Sequence, residues 1–214
     1  PFTQIAKWAD SLFSTIPARP CSQKRERPVF TSASSLVIPK ETHQSHVMMG
    51  SHAFSMFDEK RIPLFLLNNI LGGPGMNNRL NVSLREHNGL AYSVESNITS
   101  YTDTGLFSIY FGTDPKNKEK AIRLVRRELG KMYESKLTDR QLAAAKKQAI
   151  GQLGVSVDNR EGLFLNMGKS FLHYNFFASM EEVFSQINNI TATEVLDIAH
   201  TVIAPDKLFM LSYD

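Results

Sequence analysis

Cysteine is almost absent from this sequence, which has a single one, Cys21, in 214 residues. One cysteine cannot form an internal disulfide, and it cannot supply a cluster of thiolates for zinc. It also removes one argument for an oxidising compartment, so a cytoplasmic location is slightly favoured while the compartment stays open. Long hydrophobic runs are absent too: no stretch reaches the roughly 18 apolar residues that a membrane-spanning helix needs. We therefore expect a soluble protein with no membrane partner.

A large excess of charge of one sign is also lacking. The chain has 24 Lys and Arg against 21 Asp and Glu, which gives a formal net charge of +3. Basic residues gather at positions 19–27 and again along 116–131, but they are neither interleaved with aromatic residues nor set in a known nucleic-acid module. We interpret them as a basic linker and a solvated helix face, and we expect no nucleic-acid partner.

Motifs for independent catalysis are missing as well. The sequence has no GxSxG nucleophile elbow, and the glycine run at 71–80 lacks the Lys-Ser/Thr pair of a phosphate-binding loop. His43 and His46 fall in a predicted turn, where their spacing does not bring them to one helix face. Ser83 stands where an HxxEH zinc motif ending at His87 would need its first histidine. We therefore predict no catalytic residue, no metal ligand and no cofactor in this chain.

The start of the chain differs in character from the rest. Residues 1–16 place apolar side chains at helical spacing, and residues 17–28 are rich in proline and basic residues, as is typical of a linker. We therefore expect residues 1–28 to be the tail helix of a preceding domain plus a linker, and residues 29–214 to be a domain of their own.

Strand and helix patterns alternate along residues 29–214. Strands are predicted over 29–40 and 46–54, paired as a hairpin, and then over 91–98, 106–111 and 207–213. Helices are predicted over 58–71, 77–88, 118–136, 138–157, 159–174 and 180–187, and from Thr191 onward. This order predicts an α+β fold, with a mainly antiparallel sheet and helices packed on one face.

One constellation remains as a candidate site, formed by LGGPGMNNRL at 71–80 and LREHNGLAYS at 84–93. Arg85 lies in the last turn of a predicted helix, Tyr92 begins the next strand, and Gly89 is placed as the left-handed cap between them. This reversal can bring both side chains to one edge, where they can donate to a peptide carbonyl or a developing oxyanion. The residues alone leave open a plainer role, in which Arg85 complements the helix C terminus and Tyr92 packs.

The order ILGG, RL, LRE and GLAYSV resembles the C-terminal domains of pitrilysin/insulinase-type (inverzincin) zinc metallopeptidases, in the branch close to mitochondrial processing peptidase. The opening helix with FSTIP, the segment SYTDTGLFSIYFGTDP and the final PDKLFMLSYD extend the resemblance over essentially the whole chain. It implies a metallohydrolase-like half without zinc ligands, facing a companion N-terminal half that carries HxxEH. Arg85 and Tyr92 stand at the positions of a pair that contacts substrate near the scissile bond.

The resemblance implies that this chain is the substrate-binding, non-zinc half of a zinc endopeptidase and is inactive alone. Zinc is then expected in the companion N-terminal domain or subunit. An extended peptide substrate is a further implied partner, and a second copy of the chain is another candidate partner. An alternative is a non-catalytic scaffold or core subunit of the same fold, as in respiratory complexes. Because both Arg85 and Tyr92 are present, we favour the peptidase.

Overall fold

The computed structural model describes residues 1–20, 22, 26, 28–29, 31–40, 42–156 and 158–214. Its α-helices are α1 (Phe2–Phe13), α2 (Arg61–Gly72), α3 (Lys118–Glu134), α4 (Asp139–Ser156), α5 (Arg160–Tyr174), α6 (Met180–Asn189) and α7 (Ala192–Val202). Its strands are β1 (Ser35–Ile38), β2 (Ser45–Ala53), β3 (Ala91–Ser100), β4 (Gly105–Thr113) and β5 (Phe209–Tyr213). A π-helix spans Asn81–Glu86, and short 3-10 helices at Pro115–Asn117 and Pro205–Lys207 precede α3 and β5.

The strands form one sheet in the order β1-β5-β2-β4-β3. The pairs β5–β2, β2–β4 and β4–β3 are antiparallel, and only β1 joins in parallel, along β5. This confirms the predicted mainly antiparallel sheet. Because non-local pairing places β5 between β1 and β2, its position was not visible from the local pattern.

The predicted hairpin between the first two strands is wrong. β5 lies between β1 and β2 and pairs with both. The backbone N–H of Lys40 donates to the Asp214 carbonyl, and the Asp214 N–H donates to the Ile38 carbonyl at 3.2 Å, so the end of β1 is bonded to the end of the chain. The polar residues between β1 and β2 indicate a reversal of the chain, but they do not specify which strand becomes the neighbour.

The core lies between the sheet and the helices on one of its faces. Along β2 and β4, alternate side chains are fully buried, as expected when one face of a strand is covered: Val47, Met49, Phe107, Ile109 and Phe111. α2, α3 and α7 supply the other side of this core, and the predicted apolar stripe of α3 is buried at Ile122, Val125, Leu129 and Met132. The opposite face of the sheet is more open, with Met48 and Leu106 exposed.

Local capping signals are largely confirmed. The Thr138 N–H donates to Gln141 Oε1 at 3.0 Å, and Thr191 and Glu194 form the second predicted capping box. A third capping box, Ser179 with Glu182 at the start of α6, was not recognised in the sequence. The predicted end of α4 at Val157 lies outside the described residues.

Two helices carry apolar side chains that the rest of the described chain does not cover. Neither α1 nor α5 contains a buried residue. On α5, Phe164 is 74% exposed and Leu172 is 84% exposed. Exposed apolar surface of this extent typically marks a contact with another protein.

An ion pair ties the residue that follows β5 to the first residue of α3. Lys118 Nζ lies 2.5 Å from Asp214 Oδ2, and the Ser212 hydroxyl donates to Asp214 Oδ1 at 2.8 Å. The hydrogen bond from Lys118, followed by that from Ser212, lowers the pKa of Asp214 below its ordinary value. The carboxylate therefore contributes stability above that ordinary value, about 3.9, and the contribution is lost as the pH falls through the lower folded pKa.

We accordingly expect Asp214→Asn to destabilise the fold at neutral pH and to have a diminishing effect below about pH 4. Urea unfolding of the wild type and the variant between pH 7 and pH 3 measures this difference. Asp206→Asn, on the exposed Pro205–Lys207 turn, is the matched control. A difference between wild type and Asp214→Asn that stays constant down to pH 3 would contradict the assignment.

Candidate functional site

Arg85 is presented by a π-helix and not by the α-helix predicted over 77–88. The His87 N–H donates to the Val82 carbonyl five residues earlier, at 3.0 Å, and Arg85 lies in the last turn. At the start of this helix the Asn78 side chain accepts a hydrogen bond from the Asn81 N–H at 2.9 Å, so a side chain takes part in the local backbone bonding. The spacing of apolar residues does not distinguish this wider turn from an α-helical one. π-Helical turns occur frequently at functional sites.

Gly89 reverses the chain after this helix, as predicted. Its φ is +57°, a left-handed conformation that glycine adopts without the steric cost of a Cβ. The Gly89 N–H donates to the Arg85 carbonyl at 2.9 Å, and the Leu90 N–H donates to the Leu84 carbonyl at 2.8 Å. Leu90 is buried after the turn, which fixes the entry into β3.

Tyr92 lies on a β-bulge. Ala91 pairs with Thr113 and Val94 pairs with Phe111, so two residues of β3 stand opposite one residue of β4. A bulge of this kind changes the direction of a side chain and is common beside active sites. The side chain of Tyr92 is 91% exposed, so it does not serve to fill the core.

Arg85 and Tyr92 line the same cleft, which has a volume of about 390 Å³. Its other walls are the turn from Gly72 to Met76 and the β3 segment 93–97. The guanidinium is about half exposed, with Nη1 3.8 Å from the Met76 sulfur and Nε 3.7 Å from a Glu86 oxygen. An exposed ion pair of this kind is weak, so Arg85 keeps donors available to a ligand.

Close approach of α2 to β3 forms the floor of this cleft. A Cβ on Gly72 would lie 2.8 Å from the Ser96 backbone nitrogen, so only glycine allows the end of α2 to sit against the strand. The turn that follows is held from inside by Asn78, whose Nδ2 donates to the carbonyls of Gly73 at 2.8 Å and Gly75 at 2.7 Å.

Two residues beside the cleft were missed in the sequence. Gln148 and Gln152 on α4 make hydrogen bonds to Asn77 and to the Pro74 carbonyl, respectively. Their spacing of four residues places them on one helix face, but neutral amides on a helix carry no signal of a site by themselves.

The histidines singled out in the sequence do not meet in a metal site. In the part of the chain that the structure describes, no group of three or more His, Cys, Asp or Glu side chains is placed to hold a metal ion. His46 Nδ1 lies 2.8 Å from the Tyr110 hydroxyl. His43 is exposed before β2, and His87 is exposed after the π-helix.

Two carboxylates outside the cleft have lowered pKa values. Hydrogen bonds from the backbone and side chain of Thr191 lower the pKa of Glu194, which caps α7. The other lowered pKa is that of Asp214 at the end of the sheet. The Thr191 contacts of Glu194 stabilise the start of α7, and the contacts of Asp214 join β5 to α3.

A family model described as the peptidase M16 inactive domain matches residues 2–149 of this chain. The match covers more than half of the sequence and includes both Arg85 and Tyr92. The chain therefore belongs to the peptidase M16 family and corresponds to its inactive C-terminal domain.

Similar curated proteins are described as uncharacterized zinc proteases. One from Streptomyces coelicolor is 32% identical over 187 residues, which is 87% of this chain and 40% of the relative. One from Bacillus subtilis is 29% identical over 207 residues, which is 97% of this chain and 49% of the relative. The chain thus spans about half the length of these relatives or less.

Solved structures have the same fold. A peptidase M16 inactive domain from Pseudomonas fluorescens superimposes with a TM-score of 0.84 at 26% identity, over 100% of this chain and 51% of that one. A chain of Complex III2 from Candida albicans superimposes with a TM-score of 0.79 at 15% identity, over 97% of this chain and 52% of that one, and shows the fold alone. Across the described residues, none of the helices has the length and apolar character required to cross a bilayer.

Proposed function

We propose that this chain is the substrate-binding, non-zinc half of a zinc endopeptidase and that it is inactive alone. The observation that carries the proposal is the shared cleft: a π-helix presents Arg85 and a β-bulge presents Tyr92 to the same space. Two irregular backbone segments that converge on one cleft are more typical of a binding site than of packing. Membership of a family whose similar proteins are described as zinc proteases supports peptide as the ligand.

In this proposal an extended peptide lies in the cleft against β3 and the glycine turn. The Arg85 guanidinium donates charge-assisted hydrogen bonds to a peptide carbonyl, and the Tyr92 hydroxyl donates to the same region. Zinc in the companion half would supply an activated water. Arg85 and Tyr92 orient the carbonyl and stabilise negative charge that develops on its oxygen.

Pairing with a zinc-bearing half is supported by the uncovered apolar surfaces. α1 presents Trp8 and Leu12 to solvent, and α5 presents Phe164 and Leu172. We propose that residues 1–28 are the tail helix and linker of a preceding domain, and that the apolar side chains of α1 and α5 pack against the companion half. A second copy of this chain is the other candidate partner for the same surfaces.

A second candidate function is a non-catalytic scaffold. Its support is the fold similarity to a chain of Complex III2 from Candida albicans. A scaffold requires the apolar surfaces for assembly. It does not require the Arg85 guanidinium or the Tyr92 hydroxyl to donate hydrogen bonds in a cleft. The two functions therefore differ in what happens when these donors are removed.

Reconstitution tests the proposed function directly. The zinc-bearing half of the same protein is mixed with this chain, and cleavage of a fluorogenic peptide and bound zinc are measured for each half and for the mixture. We expect cleavage only in the mixture and zinc only with the companion half. One zinc per molecule of this chain, or a mixture no more active than the zinc-bearing half alone, would contradict the proposal.

A further inference from the structure

We propose that Gln148 and Gln152 of α4 are positioning residues for the cleft, and that they act on Arg85 through the glycine turn at Gly73–Asn77. The inference deepens the proposed function and rests on it. Neither glutamine lines the cleft, so neither is expected to touch substrate. Their role is to fix the wall against which Arg85 lies.

The two glutamines hold the turn at two separate points. Gln148 and Asn77 form a reciprocal amide pair, with Asn77 Nδ2 donating at 3.0 Å and Gln148 Nε2 donating back at 3.2 Å. Gln152 Nε2 donates to the Pro74 carbonyl at 2.6 Å. Two reciprocal hydrogen bonds between side-chain amides restrict both the distance and the orientation of the two side chains.

The Gln152 side chain is itself held in place by a residue of α2. Its Oε1 accepts a hydrogen bond from Asn69 Nδ2 at 2.5 Å, and Asn69 is a buried residue of α2. One side chain therefore links the turn to α4 and to the helix that precedes the turn. Since α2 packs against the core, these hydrogen bonds tie the turn to the packed part of the domain.

The turn needs such support because of its composition. It contains Gly73 and Gly75, and Gly75 has a φ of +106°, so the backbone alone permits many conformations. Asn78 fixes the inner side through its bonds to the Gly73 and Gly75 carbonyls. The glutamines fix the outer side at Pro74 and Asn77, on either side of Gly75 and Met76.

Met76 connects the turn to the guanidinium. Its sulfur is 3.8 Å from Arg85 Nη1, and both residues line the cleft. The ion pair with Glu86 at 3.7 Å is exposed and constrains Arg85 little. A turn released from α4 therefore changes the position of Met76 and, with it, the direction in which Arg85 donates.

The chain offers variants that separate the individual bonds. Gln152→Glu keeps the acceptor for Asn69 but removes the donor to Pro74, so it releases the turn without disconnecting α4 from α2. Gln148→Ala removes both bonds to Asn77. Gln186→Ala, on α6 beside the start of α7, is the matched control for loss of a glutamine elsewhere.

Two measurements report on this role in the reconstituted enzyme and in the full chain. Hydrogen exchange of the backbone amides of Gly73 and of residues 75–77 should rise in Gln148→Ala and Gln152→Glu and stay unchanged in Gln186→Ala. For a fluorogenic peptide, kcat/KM should fall several-fold in each turn variant, because a donor held out of its productive geometry contributes less to the transition state. In an Arg85→Ala background the same changes should cause a smaller loss, because the main effect of the glutamines is exerted through Arg85.

The outcomes separate the positioning role of the glutamines from the substrate-binding role of Arg85. If Arg85→Ala lowers kcat/KM but the glutamine variants do not, the positioning role is overturned and the substrate-binding function stands. Equal fold-losses in the wild-type and Arg85→Ala backgrounds also overturn it, since they indicate general loosening of the domain. If Arg85→Ala itself has no effect, the proposed function fails and the positioning role fails with it.

Discussion

Replacing Arg85 with alanine is expected to lower the kcat of the reconstituted peptidase by about 100- to 1,000-fold, the usual cost of losing one donor to a transition-state oxyanion. Arg85 is 45% exposed and lies at the end of a helix, so the domain should remain folded without its guanidinium. Its contact with the Met76 sulfur and its exposed ion pair with Glu86 orient the side chain but add little to folding stability, so the loss should appear in turnover and not in the thermal midpoint.

Tyr92→Phe removes one hydroxyl from the same cleft. Since the side chain is 91% exposed, its ring contributes little to packing and the thermal midpoint should not change. Turnover should fall, because a phenol that donates to a developing charge makes a stronger hydrogen bond than a neutral pair does. If both residues act on one carbonyl, the double variant should lose less than the product of the single losses.

Matched controls separate chemistry from general surface effects. Arg123→Ala changes an exposed arginine on α3, and Tyr101→Phe changes an exposed tyrosine after β3. Both should keep wild-type turnover and stability. Full activity in folded Arg85→Ala protein would end the substrate-binding hypothesis and favour the scaffold, whereas lower thermal midpoints with normal activity would indicate that the pair only packs.

Introducing aspartate at Phe164 or Leu172 of α5 is expected to weaken association with the companion half by about 30-fold or more, the effect of losing a strong apolar contact at an interface. Both side chains are exposed and α5 has no buried residue, so the substitutions should leave the fold intact. Placing a carboxylate in a desolvated apolar contact adds the cost of removing its hydration.

Sedimentation of the chain alone and with the companion half measures this effect. The wild-type chain should self-associate or pair, and Phe164→Asp and Leu172→Asp should shift the equilibrium toward free chains. Ala144→Asp adds the same charge to an exposed position of α4 and should not change association. A strictly monomeric wild-type chain at high concentration, with no binding to the companion half, would contradict the assignment of α1 and α5 as contact surfaces.

Much of the fold and part of the site could be predicted because the determinants are local in sequence. The capping pairs Thr138–Gln141 and Thr191–Glu194 act within one helical turn, so they mark the starts of α4 and α7 directly. Gly89 could be assigned as a left-handed cap for the same reason, and this chain reversal lies between Arg85 and Tyr92.

Features that depend on contacts distant in sequence were not predictable in this way. β5 inserts between β1 and β2 although more than 150 residues separate it from them, so the hairpin inferred from adjacent strands was wrong. The π-helix under Arg85 and the bulge under Tyr92 have no signature in apolar spacing. The attachment of the glycine turn to α4 joins Asn77 to Gln148, 71 residues further along the chain.

The sequence by itself determined the α+β class, most helices and their caps, the absence of an HxxEH motif, and the pair Arg85 and Tyr92 as the residues to test. These follow from periodicity, from turn chemistry and from the order of residues, which act over a few positions. Only the tertiary structure decided that the two side chains line one cleft, that α5 is uncovered and that α4 supports the glycine turn. Such relations are set by how helices pack against a sheet whose strand order arises from long-range pairing, and no short segment contains that information.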